Sequence, residues 1–135
     1  MSLVTGIDHI YLCVSDLDRA EAFYDRALGD ALGFRKTRFA LHGDPHVQYY
    51  CRHYGIVLRP ARSAAPHDSY APGLHHLAWT AADRADVDAM YQLLLDIGAT
   101  ILDSPADYPR YGPGYYAVFF ADPDGLKLEY VHWPK

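Results

Sequence analysis

Three side chains far apart in the sequence carry the chemistry this chain could do: His9, His76 and Glu129. Two neutral imidazoles and one carboxylate gathered in a sheltered cup make a site for a divalent ion, with two or three positions left for water or substrate. An internal match singles the histidines out. His76 lies in Gly73-Leu74-His75-His76-Leu77-Ala78-Trp79 and His9 in Gly6-Ile7-Asp8-His9-Ile10-Tyr11-Leu12. Both read glycine, aliphatic, variable, histidine, aliphatic, variable, large apolar, and the offset (76 − 9 = 67) is about half of the 135 residues.

The elements that must position these residues repeat as well. At the same offset Asp16 falls on Asp83, Ala22 on Ala89 and Tyr24 on Tyr91; the register then slips by two before Gly33 meets Gly98 (98 − 33 = 65). The slip implies a short insertion at the end of the first helix. Two matched modules imply pseudo-twofold symmetry, in which equivalent histidines could face each other across the axis.

Residues 7–14 alternate as a strand, and Ser15 or Asp16 caps a helix to about Leu28. Residues 34–41, 46–53 and 55–59 read as three more strands. Module one, 6–60, is therefore β-α-β-β-β. The proline- and alanine-rich stretch 61–72 is a linker without periodicity. Module two, 73–133, repeats the plan: strand 74–81, a helix capped by Asp83 and ended by Gly98, a short strand 99–103, a loop from Pro105 to Gly114, and a hairpin. Asp122-Pro123-Asp124-Gly125 specifies that hairpin as a type I turn followed by a left-handed glycine. The fold class is α+β, two tandem βαβββ modules forming a cupped mixed sheet with helices outside.

Strand alternation assigns the faces. Ile10, Leu12 and Val14 pack on the first helix, Leu77 and Trp79 on the second, and Leu128 and Tyr130 form the apolar face of the last strand. His9, His76 and Glu129 therefore point away from the helices. The same alternation places His75 towards the helix side. Tyr115, Ala117 and Phe119 share the face of Glu129, so Tyr115 could donate a hydrogen bond to a metal-bound oxygen. Arg59 is a candidate to bind a substrate carboxylate or phosphate. Lys127 is expected to extend to water.

Composition narrows the function classes. A net charge of −5 without a basic stripe argues against nucleic acid. No apolar run approaches the length that spans a bilayer and no leader pattern precedes Gly6, so the expected location is cytoplasmic, away from membranes. Two cysteines, Cys13 and Cys51, lack the spacing of a thiolate zinc site.

The βαβββ duplication, His9 in the first strand, the GLHHLAW strand, and DPDG followed by Lys-Leu-Glu resemble the vicinal oxygen chelate superfamily, the glyoxalase, bleomycin-resistance and extradiol-dioxygenase group. The resemblance covers nearly the whole chain. It implies one divalent ion (Zn, Ni, Mn or Fe) on His9, His76 and Glu129, a small oxygenated substrate chelated to it, and a homodimer. The implied function is a metal-dependent lyase, isomerase or dioxygenase; the alternative is a sequestering protein of the bleomycin-resistance type that binds a ligand without catalysis. A glyoxalase I is expected to carry a further Glu in the last strand of module one, where this sequence offers Val57 or Arg59. An extradiol enzyme is expected to carry Tyr about ten residues before the metal Glu, where this sequence has Phe119.

Overall fold

The computed structural model describes residues 2–135, which form two compact units dividing between Ala64 and Ala65. Unit one contains β1 (His9–Val14), α1 (Leu17–Tyr24) running into a π turn (Asp25–Asp30), β2 (Arg35–Leu41), β3 (Asp44–Tyr50) and β4 (Gly55–Pro60). Unit two contains β5 (His76–Thr80), α2 (Arg84–Asp96), β6 (Thr100–Asp107), β7 (Tyr116–Ala121) and β8 (Lys127–His132). Each unit has its own four-stranded mixed sheet, ordered β1-β4-β3-β2 and β5-β8-β7-β6. The first and last strands of each unit pair in parallel, and the other pairs are antiparallel.

Both helices start as the sequence indicates. The Asp16 carboxylate accepts from the Arg19 backbone N–H at 3.1 Å, and that of Asp83 from Asp86 N–H at 2.9 Å. Each bond satisfies a donor that the first turn leaves open, an arrangement worth about 1 kcal/mol. The helices end differently. After Tyr24 the first one widens, so that the Ala31 N–H reaches the Arg26 carbonyl five residues back at 3.0 Å. The π turn makes this helical run one residue longer than α2 and keeps Ala27 and Leu28 buried, and the turn before Gly33 holds the other residue of the two-residue slip. α2 stays regular to Asp96, and Gly98 leaves it at φ +68°.

Period-2 alternation divides each sheet into a helix face and an open face. In unit two, Trp79, Val118, Phe120 and Leu128 are buried, as are Val87, Met90 and Leu94 of α2, which packs on β6, β7 and β8. In unit one Tyr49 marks the helix face, its hydroxyl donating to the Glu21 carbonyl of α1 and to the Asp25 carboxylate. His9, Tyr11 and Cys13 of β1, and His76, Ala78 and Thr80 of β5, are left on the other face. β6 is longer than the strand expected at 99–103 and has two register irregularities, which an edge strand carrying Pro105 tolerates. The Asp122 turn forms as read: Gly125 N–H bonds the Asp122 carbonyl at φ +84°, and the Asp122 carboxylate accepts from the N–H groups of Asp124 and Leu126. No helix among the described residues is long and apolar enough to cross a membrane.

Candidate metal centre and cavity of the second unit

Glu129 sits in the middle of β8, in register with Ala78 of β5 on one side and Phe119 of β7 on the other. Strands on both flanks leave it only 2% exposed. A carboxylate buried so deeply is costly unless its oxygens are answered, and Tyr115 answers one of them. The Tyr115 hydroxyl donates to Oε2, and the His76 Nε2 stands 3.5 Å from Oε1. Burial, and then the bond to Glu129, push the Tyr115 phenol well above its ordinary range, so it keeps its proton and donates a hydrogen bond at neutral pH.

The donor types of the His76–Glu129 pair suit a first-row divalent ion. Two ligands bound at 2.0–2.1 Å in tetrahedral geometry stand about 3.3 Å apart, close to the separation of His76 Nε2 and Glu129 Oε1. The Nδ1 atoms of His75 and His76 lie 2.7 Å apart, so one donates and the other accepts. This contact fixes the His76 ring with Nε2 towards the carboxylate, an orienting role that a neighbour of a metal-binding imidazole commonly takes. His9 begins β1 as His76 begins β5. Its Nδ1 lies 2.6 Å from the Asp8 carboxylate, leaving Nε2 as the ring's other donor atom. The structure brings His76 and Glu129 together; among the described residues no three His, Cys, Asp or Glu side chains form one metal-binding group.

Strand register settles the symmetric counterpart of Glu129. Val57 pairs with Tyr11 as Glu129 pairs with Ala78, so the counterpart is buried Val57 and not Arg59. Arg59 lies one strand repeat further, opposite Cys13, and its guanidinium donates to Asp44, which also holds Arg62. The expectation for His75 is corrected. β5 begins at His76, so strand alternation does not reach back to His75, whose ring lines the cavity beside His76 and not the helix side.

That cavity, about 570 Å³, opens over Glu129 and His76. Its walls include Tyr111, Tyr115 and Trp133, with Arg110 and Lys127 contributing cationic ends. Tyr115 makes edge contact with Tyr111 at 5.2 Å and a tilted contact with Trp133 at 5.3 Å between ring centroids. Sequence reasoning missed Arg110, Tyr111 and Trp133 because loops and chain ends have no periodicity. A signal was present in the Gly-Pro-Gly run of residues 112–114. A Cβ on Gly112 would lie 2.5 Å from the Trp133 indole nitrogen, and one on Gly114 3.0 Å from Pro134. Glycine at these positions lets the loop close onto the last strand's end and complete the aromatic wall.

Residues 6–130 match the model of the family described as the Glyoxalase/Bleomycin resistance protein/Dioxygenase superfamily. The chain belongs to that superfamily. It is 31% identical over 126 residues to protein YqjT of Bacillus subtilis (strain 168), covering 91% of this chain and 95% of that one. It is 30% identical over 134 residues to a relative named metallothiol transferase FosB from Shouchella clausii (strain KSM-K16), covering 96% and 81%. Among solved structures, a glyoxylase/bleomycin resistance protein/dioxygenase domain from Frankia sp. EAN1pec superposes with a TM-score of 0.81 at 23% identity, covering 98% and 100%; this likeness is one of fold. The two mixed sheets with one helix each are thus the glyoxalase-superfamily architecture.

Proposed function

We propose that the chain is a metal-dependent enzyme of the glyoxalase/dioxygenase type, acting on a small oxygenated substrate in the cavity over Glu129. The observation that carries this reading is the 3.5 Å approach of His76 Nε2 to Glu129 Oε1 at the floor of that cavity. His76 and Glu129 would hold the ion, with His9 as the third ligand on the family pattern. Such an ion, Zn, Ni, Mn or Fe, supplies Lewis-acid stabilisation of negative charge developing on a substrate oxygen. Tyr115, whose proton now rests against Glu129, serves as a donor to a substrate oxygen beside that carboxylate. Val57 in the symmetric position provides neither a further ligand nor a base, which disfavours glyoxalase I chemistry. The name of the Shouchella relative couples a metal with thiol transfer, and His76 and Glu129 serve the metal half of that description. The aromatic wall of Tyr111, Tyr115 and Trp133 favours a second reading, a binder that sequesters a ligand without transforming it.

Metal analysis by mass spectrometry tests the proposal on protein purified without chelator or nickel resin. About one equivalent is expected in the wild type, falling to trace in Glu129→Ala and in His76→Ala. A wild type that neither carries metal nor takes it up from added salts refutes the enzyme reading. The ion found sorts the reaction: Fe or Mn for oxygen chemistry, Zn or Ni for isomerase or lyase chemistry. The site is further proposed to work in a homodimer, as the family resemblance implies, which a monomeric mass by light scattering would refute.

A further inference from the structure

Two cations face the cavity of the second unit with no anion to answer them. Lys127 Nζ stands 4.7 Å over the Phe119 ring, and the Arg110 guanidinium 4.9 Å over that of Tyr111. Neither takes part in an ion pair among the described residues. The unit's other arginine, Arg84, holds Asp107; in unit one Lys36, Arg38, Arg59 and Arg62 hold carboxylates, while Arg35 and Arg52 take part in no ion pair among the described residues. Acids are in excess in this chain, at 17 Asp and Glu against 12 Lys and Arg, so the missing partners do not reflect a shortage. Cation–π contact holds both charges on aromatic rings of the cavity.

The same walls offer a surface for a flat ring. Tyr111 and Trp133 line the cavity while 48% and 39% exposed, a large apolar area to leave wet in a concave site. Glu129 is the one carboxylate lining the cavity, and it is already engaged by Tyr115 and His76. Against its single negative charge stand Lys127 and Arg110, so the cavity favours an anion. Its volume suits a small molecule.

We infer that the cavity binds a small aromatic acid: the ring lies against Tyr111, Tyr115 and Trp133, the carboxylate meets Lys127 and Arg110, and ring substituents turn towards His76 and Glu129. The inference rests on this cavity being the functional site proposed above, and it names the ligand class. Both cations line the cavity, and each suits a planar carboxylate, Arg110 by paired N–H donors and Lys127 as a point charge.

The test is ligand-observed NMR titration of the full chain after chelator treatment, with benzoate, benzyl alcohol and cyclohexanecarboxylate as probes. Benzoate is expected to bind about fivefold or more tightly than either the neutral aromatic or the saturated acid. Lys127→Met and Arg110→Met should each weaken benzoate severalfold and leave benzyl alcohol unchanged. Far-UV circular dichroism checks the fold of each variant, with Lys127→Gln and Arg110→Gln as replacements for one that unfolds. Equal binding of the three probes, no binding of benzoate, or folded variants that bind it as the wild type does would overturn the inference. Because the titration is metal-free, its result is separate from the metal analysis. A chain that takes up no ion yet keeps the probe order refutes the metal site and leaves this inference standing; a chain with its metal but no such order does the reverse.

Discussion

The two units share one backbone plan and differ in what they bury on the open face. Where unit two places Glu129, unit one places Val57 in the same register, and both are 2% exposed. Each unit also buries a polar side chain there, with opposite treatment. Glu129 accepts a hydrogen bond from Tyr115 and has His76 Nε2 3.5 Å away, whereas His46, 1% exposed, donates through Nδ1 to the Asp44 carbonyl and leaves Nε2 without a partner. Charge does not divide in the same way: Arg59 is held by Asp44, but Arg35 and Arg52 of unit one line a cavity without an ion pair among the described residues, as Lys127 and Arg110 do in unit two. Duplicating a fold therefore does not duplicate its chemistry. Pairing and burial are kept, and one half is freed to specialise.

Exchanging the two matched residues should break this comparison with the largest effect. Val57→Glu puts a carboxylate into unit one with none of the partners that answer Glu129, and should destabilise by about 3 kcal/mol or more. Glu129→Val removes a charge and leaves the Tyr115 hydroxyl without its acceptor, a cost of about 1–2 kcal/mol. Urea unfolding of metal-free protein at neutral pH measures both, and equal losses would mean that the two positions are not differently prepared. A smaller contrast separates partnered from unpartnered polar groups. Tyr115→Phe should cost about 1–2 kcal/mol, because it takes a donor from a buried carboxylate. His46→Leu should change stability by less than about 1 kcal/mol, since one bond is lost as an unsatisfied nitrogen disappears.

The smallest effect concerns the paired cations of unit one. Asp44 is held below its usual carboxylate range by hydrogen bonds from Arg62 and then Arg59. A carboxyl with a depressed folded pKa adds stability that is present above its unfolded pKa and lost as pH falls through the folded one. Asp44→Asn should therefore be slightly less stable than the wild type at pH 7, the two converging below about pH 4. Parallel curves across that window in pH-dependent urea unfolding would show that the Arg59–Asp44–Arg62 cluster contributes nothing.

How much of this was legible in the sequence depended on whether a local rule spoke for each residue. The helix caps at Asp16 and Asp83 and the Asp122 turn follow from side chains bonding their own backbone, so a few adjacent residues specify them. The π turn and the longer turn before Gly33 announced themselves as a two-residue slip, although a slip does not say which geometry absorbs it. Alternation put Glu129 and His76 on one face but failed for His75, because the strand starts one residue later. Choosing between Val57 and Arg59 required the β1–β4 register, which no short stretch contains. Arg110, Tyr111 and Trp133 meet only through loop closure, and the glycines that permit it name no partner.

The parallel pairing of β5 with β8 has a kinetic consequence. These strands open and close unit two, yet they are neighbours, with His76 opposite Lys127 fifty-one positions later. Contacts so distant in sequence form only after the intervening chain has been organised, and they slow folding. His76 and Glu129 are thus brought together by a long-range pairing. An ion or ligand that needs both has no foothold on the unfolded chain, so it should stabilise the folded state by mass action and slow unfolding.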